Sequence, residues 1–142
     1  MSRYNTNLAS EFYVLSMLYR LGAEASLTLG NKKSVDIIVT FPDKETLTID
    51  VKGVAGRYDW PADNIRFPAP ATHFLALLTF DGKITDPTHA PKVWILPANE
   101  VEDFIKEYRV RKDVSRMLIR ERGSKYLNNW SIFLPDSSKN LE

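Results

Sequence analysis

The chain has no cysteine. Disulfides, thiolate metal sites and cysteine nucleophiles are therefore excluded, and the composition fits a cytoplasmic protein. Histidine is scarce. His73 opens an apolar run and His89 lies near a proline, and neither has the spacing of a metal site or a catalytic triad. No apolar run approaches the roughly 20 residues of a membrane span. The opening MSRYNTNLASEF lacks the apolar core of a signal peptide. There is no glycine-rich phosphate loop and no internal repeat. An excess of one charge is missing too: the net charge is +1, which by itself names no partner.

What is present is ordinary in bulk. The 142 residues are 44% apolar and 26% charged, which suits one soluble domain large enough to bury a core. The expected organisation is a single domain over 1–142, with a core at about 8–108, a basic extension at 109–134 and a polar tail at 135–142. The charge distribution is less ordinary. Lys106, Arg109, Arg111, Lys112, Arg116, Arg120, Arg122 and Lys125 stand against Glu107, Asp113 and Glu121. Such a segment is either a phosphate-binding surface or a solvated helix face.

The chain divides by pattern. Leu8, Phe12, Leu15 and Leu18 recur at three- and four-residue spacing, which predicts a helix over 7–21 capped by Asn5, Thr6 or Asn7 and stopped at Gly22. Strands are expected at 24–29, 35–39, 47–52, 73–80 and 92–96. The stretch 53–71 holds Gly56, Pro61, Pro68 and Pro70 and reads as a long irregular loop. Its Arg57, Tyr58, Trp60 and Arg66 suit either nucleic-acid contact or a lid over the core, with lid packing favoured for Trp60 and Phe67. A helix is expected over 99–108, with Asn99 as cap. The segment MLIRE reads as strand or helical turn. A short terminal helix is expected over 124–133.

The stretch VDIIVTFPDKETLTIDVKG, residues 35–53, organises the rest. Two β-branched runs flank a polar turn, as in a β-hairpin. Each carries an aspartate that apolar packing would not choose. Side chains alternate along a strand, so Asp50 and Lys52 share a face, and the hairpin brings Asp36 within reach of it. Two carboxylates and an ammonium so placed are costly unless a cation is shared. Mg2+ is commonly held by one or two carboxylates with waters and phosphate oxygens. The bland alternative is a salt bridge on a half-exposed strand. Glu11, early in the first helix, either favours the positive helix end or reaches this site.

With Glu11 on the helix, Asp36 in the second strand and Asp50-Val51-Lys52 in the third, the chain resembles the PD-(D/E)XK nuclease superfamily. It is similar to the small members related to Holliday-junction resolvases and intron-encoded endonucleases. Val35 stands where the proline of the family's name would be, and Asp50 where glutamate is commoner. The resemblance implies an α/β fold, a mixed central sheet flanked by helices with a restriction-endonuclease-like αβββαβ core. It implies Mg2+ as cofactor, with Mn2+ able to substitute. Asp36 and Asp50 would be ligands, with the Val51 carbonyl as a third. Lys52 would activate water, and Glu11 would be an auxiliary acid. The expected activity is Mg2+-dependent hydrolysis of phosphodiester bonds in DNA. Lys32, Lys33, Arg57, Arg116, Arg120 and Arg122 are the candidate nucleic-acid contacts. A homodimer is expected, because a chain this small carries one site. The other reading is an inactive relative that binds nucleic acid or a protein partner.

Overall fold

The computed structural model describes residues 2–28 and 35–135. The chain opens with helix α1 (Arg3–Arg20). Its N-cap is Ser2, whose hydroxyl accepts from the Asn5 N–H at 3.1 Å, so the helix begins several residues before the expected caps. Strands β1 (Glu24–Leu27), β2 (Ile37–Thr40) and β3 (Leu47–Val54) follow, then β4 (Trp60–Pro61), β5 (His73–Thr79) and β6 (Lys92–Pro97). A 3-10 helix spans Ala98–Phe104 and leads into β7 (Ile105–Tyr108) and β8 (Arg111–Val114). Helix α2 (Arg116–Arg122), capped by Ser115, and two 3-10 turns, Ser124–Tyr126 and Trp130–Phe133, complete the described chain.

The main sheet has the order β1-β2-β3-β5-β6. β3 and β5 run parallel and the other neighbours antiparallel, so the fold is α/β with a mixed sheet. A second sheet, β4-β8-β7, packs against it, with Trp60 and Val114 in one core cluster with Leu75 and Leu77. The apolar run of β5 is buried on both faces. Phe74, Ala76 and Leu78 join Val14 and Leu18 of α1 and Phe133 in one core cluster. Leu75 and Leu77 join Trp60, Trp94, Val101 and Ile119 in the other. This double burial is why the strand reads as a near-continuous apolar run.

Several elements differ from expectation. The buried residues of α1 are Thr6, Ser10, Val14 and Leu18, while Phe12 is 54% exposed. The close approach of β3 explains this. A Cβ built on Gly53 would lie 1.8 Å from Ser10 Oγ, so only small side chains fit on that ridge of the helix. No α-helix lies between β3 and β5, where the αβββαβ order would put one. Residues 55–72 carry β4 instead, with Trp60 fully buried and its Nε1 donating to the Leu78 carbonyl at 2.8 Å. The lid role expected of Trp60 agrees with this packing. The helix expected over 99–108 is a 3-10 helix followed by a strand. Ile105–Tyr108 pairs with β8 through a two-residue turn in which Arg109 takes φ 58°. MLIRE is helical, within α2. The terminal helix is broken at Asn128, which takes φ 54° and donates its N–H to Val93 at the edge of β6. The first strand is described only to Leu27, and part of its expected range lies outside the described residues.

Candidate active site at the open edge of the sheet

The site forms where the β2–β3 ladder ends. Backbone pairs run from Val39↔Leu47 to Ile37↔Ile49. The Asp36 N–H then donates to the Ile49 carbonyl at 2.8 Å. One step further, a side chain replaces the backbone: Asp36 Oδ2 accepts from the Val51 N–H at 2.7 Å. The N–H and C=O of one strand residue point to the same edge. The Val51 carbonyl therefore points into the gap that β2 leaves open. On its other edge β3 stays paired with β5 as far as Val54↔Thr79, so the strand is held while this edge is exposed.

Asp50 is buried, at 6% exposure, and Lys52 Nζ lies 3.5 Å from its Oδ2. The ammonium also donates to Asn64 Oδ1 at 2.9 Å, from the irregular segment after β4. Glu11 arrives from α1. Its neighbour Ser10 packs on Gly53, directly after Lys52, and that contact presses the first half of the helix onto the site. Glu11, Asp36, Asp50, Val51 and Lys52 all line one groove of about 650 Å3, with Arg3 among its other walls. The four side chains named from sequence are thus brought together.

The electrostatics match that crowding. Burial pushes the Asp36 carboxyl up to about 6, with a hydrogen bond and repulsion from Asp50 adding to it. The Val51 N–H and the Lys52 charge pull the other way. Glu11 is also raised, first by burial and then by Asp36. A carboxyl raised that far by burial and by a neighbouring carboxylate marks a site short of positive charge. Among the described residues no three Asp, Glu or His side chains are grouped tightly enough to cage a metal ion unaided. The donor set does fit Mg2+, which takes hard oxygen ligands and retains several waters: two carboxylates and the Val51 carbonyl converge on an accessible groove.

Two neighbours of the site were not singled out from sequence. Asn64 holds Lys52, and His73 stands beside Asp36, with its Nδ1 2.8 Å from Thr48 Oγ1. Only the parallel β3–β5 register brings His73 there, and no local pattern announces a partner 25 residues away.

The basic candidates divide. Arg57 lines an adjoining cavity of about 590 Å3 together with Arg3, Tyr58 and Arg111. The carboxylates in that cavity are engaged: Asp59 accepts from the Arg116 N–H, Asp63 from the Lys112 N–H, and Asp113 pairs with Arg111 at 3.0 Å. Arg120 and Arg122 are exposed on α2. Arg116 is not a free surface cation. Its guanidinium pairs with Asp81 at 3.0 Å and only 18% of the side chain is exposed, so it ties α2 to the turn after β5. Lys32 and Lys33 lie outside the described residues. No described helix is long and apolar enough to cross a membrane.

No protein-family model matches the chain, and no curated protein matches it by sequence. Among solved structures it is similar to a bacterial homing endonuclease, I-Ssp6803I. The TM-score is 0.59 and the identity 14%, over 100% of this chain and 99% of that one. At that identity the likeness is one of fold.

Proposed function

We propose that this protein is a Mg2+-dependent DNA endonuclease of the PD-(D/E)XK type. The observation that carries the proposal is the convergence of Glu11, Asp36, Asp50 and Lys52 on one groove at the open edge of the sheet. The fold it shares with a homing endonuclease supports the reading. Asp36, Asp50 and the Val51 carbonyl would hold the ion. When bound, Mg2+ supplies a Lewis acid for the phosphate and a more acidic water.

The chain's own groups do the rest. Lys52, fixed between Asp50 and Asn64, orients the attacking water and opposes the negative charge that grows on the phosphate oxygens. The water oxygen releases a proton to solvent and bonds to phosphorus while the bond to the sugar oxygen breaks, and that leaving oxygen takes a proton from solvent. Glu11, whose pKa is raised first by burial and then by the Asp36 charge, hydrogen-bonds water at the rim of the site. Arg57, Arg120 and Arg122 contact backbone phosphates. Cutting both strands of a duplex takes two sites, which two copies of the chain would supply.

The test is cleavage of plasmid, branched DNA and RNA with Mg2+ or Mn2+. DNA cleavage that is lost in Asp36→Ala, Asp50→Ala and Lys52→Ala is the expected result. Binding without cleavage under any of these conditions would select an inactive nucleic-acid-binding module instead.

A further inference from the structure

A third cavity meets the candidate active site at Asp50. Its volume is about 400 Å3 and it shares Asp50 with the groove. The β3–β5 register sets its floor, pairing Thr48 with His73 and Asp50 with Leu75. Its outer wall is the segment after β4, through Ile65, Arg66 and Pro70. That wall is braced. Asn99 Nδ2 donates to the Ala69 carbonyl at 2.8 Å, Asn99 Oδ1 accepts from the Ala69 N–H at 2.7 Å, and the Pro70 carbonyl accepts from the His73 N–H at 3.0 Å. A cavity bounded by a sheet and a clamped segment keeps its shape. Its lining is mostly carbon, with the His73 imidazole, the Arg66 guanidinium, the Thr48 and Thr72 hydroxyls and the shared Asp50 carboxylate as the polar exceptions. Asp50 apart, phosphodiester hydrolysis uses none of these side chains.

We infer that this cavity receives the base of an unpaired DNA nucleotide next to the scissile phosphate, an inference that rests on the nuclease reading above. The reasons are place, size and lining. A phosphate held at Asp50 and Lys52 carries its own nucleoside one sugar away, and the cavity opens at that same aspartate. The volume falls within the range of pockets that enclose small organic ligands. Leu75, Ile65 and Pro70 offer apolar faces, and Arg66 adds a planar cation for stacking. Thr48 engages His73 Nδ1, so Nε2 is the ring nitrogen left for a base edge. A paired base enters such a cavity only after a few kcal/mol of unstacking. A base that is already unpaired enters without that cost, so the substrate class is DNA with an unpaired nucleotide at the cleavage position.

The experiment measures affinity by fluorescence anisotropy with Ca2+ in place of Mg2+. It uses three duplexes: fully paired, with one unpaired adenine, and with the same bulge lacking its base. Wild type should bind the adenine bulge about tenfold more tightly than the abasic bulge, the scale of one stacked base. Pro70→Trp, a change at the exposed rim, should reduce that preference to about twofold or less and leave the affinity for paired DNA unchanged. Equal affinity of wild type for the adenine and abasic bulges would overturn the inference. The nuclease reading is judged separately, by Mn2+-dependent cleavage of the same duplexes. Cleavage without base preference removes the base pocket alone. Base preference without cleavage removes the nuclease reading on which it rests.

Discussion

Substituting Gly53 by alanine tests how the helix is held on the site. A Cβ at this position would lie 1.8 Å from Ser10 Oγ and 2.7 Å from Ser10 Cβ. The first clash can be relieved by rotating the Ser10 hydroxyl, which breaks its 2.7 Å hydrogen bond to the Thr6 carbonyl. The second cannot, because Cβ is fixed to the helix backbone. Restoring an ordinary carbon contact moves α1 away from β3 by about 1 Å. Overpacking of this kind costs about 1–3 kcal/mol, slightly offset by the better strand propensity of alanine. In a chain of this size that lowers Tm by about 3–9 °C. Glu11 moves with the helix, and a misplacement of about 1 Å in a catalytic group can cost about a hundredfold in rate. Cleavage should therefore fall in Gly53→Ala by more than the stability loss explains at 25 °C. Ser10→Gly removes both clashing atoms. Alone it costs about 0.5 kcal/mol of helix propensity, but in the Gly53→Ala background it should recover stability. Chemical denaturation of the four variants measures the coupling. A Gly53→Ala protein that melts within about 1 °C of wild type, or a strictly additive double variant, would refute the packing argument.

Other outcomes follow from the same geometry. In metal-free buffer, Asp36 should make stability fall as pH rises from about 4 to about 6. Its folded pKa of about 6 lies above the ordinary 3.8, so the stabilising proton is present below that window and lost through it. Two units correspond to about 3 kcal/mol, reduced to about 1–2 by solvent screening of a partly buried group, and Asp36→Asn should flatten the slope in melts taken across that range. Calorimetric titration with Mn2+ should show binding lost in Asp50→Ala and kept in Lys52→Ala; an Asp50→Ala protein that binds like wild type would end the assignment of Asp50 as a ligand. Arg120→Ala with Arg122→Ala should weaken binding to all DNA sequences alike and reduce the salt slope by about one per arginine, as read by titration between about 50 and 200 mM salt. Arg116→Ala should instead lower stability by about 1–3 kcal/mol on denaturation, because it removes the cation paired with Asp81 and leaves that carboxylate, among the described residues, only the Thr79 hydroxyl as a hydrogen-bond partner.

Much of the sheet was legible because its strands are apolar on both faces or bounded by turn residues. HFLALLTF and KVWIL are found where expected. The helix faces were less legible. Leu8, Phe12 and Leu15 make a plausible apolar stripe, yet the strand under α1 carries Gly53, and a close approach selects Thr6 and Ser10 over leucine. Periodicity records where apolar residues are and cannot register a small-residue ridge. The C-terminal third was misread for a related reason. Ile105–Tyr108 has a helical pattern of apolar residues, but it is drawn into a strand by pairing with β8, a tertiary choice that overrides local preference.

The candidate site residues were legible for the opposite reason: they are wrong for packing. Asp36 and Asp50 interrupt β-branched runs, so chemistry is the simplest account of them. What the sequence could not show is how Asp36 reaches Val51. It was expected inside the second strand, and it lies one residue before it. There its carboxylate, rather than its backbone, continues the ladder to Val51. Had β2 extended one pair further, the Val51 N–H and C=O would both be occupied by a neighbouring strand, and the carbonyl could not serve as a ligand. The open edge also lets Glu11, from the face of the sheet covered by α1, meet Asp50 and Lys52 from the other face. A flat, fully paired sheet would keep those two faces apart. The site depends on the sheet ending where it does, and a local sequence pattern marks the acids without marking that end.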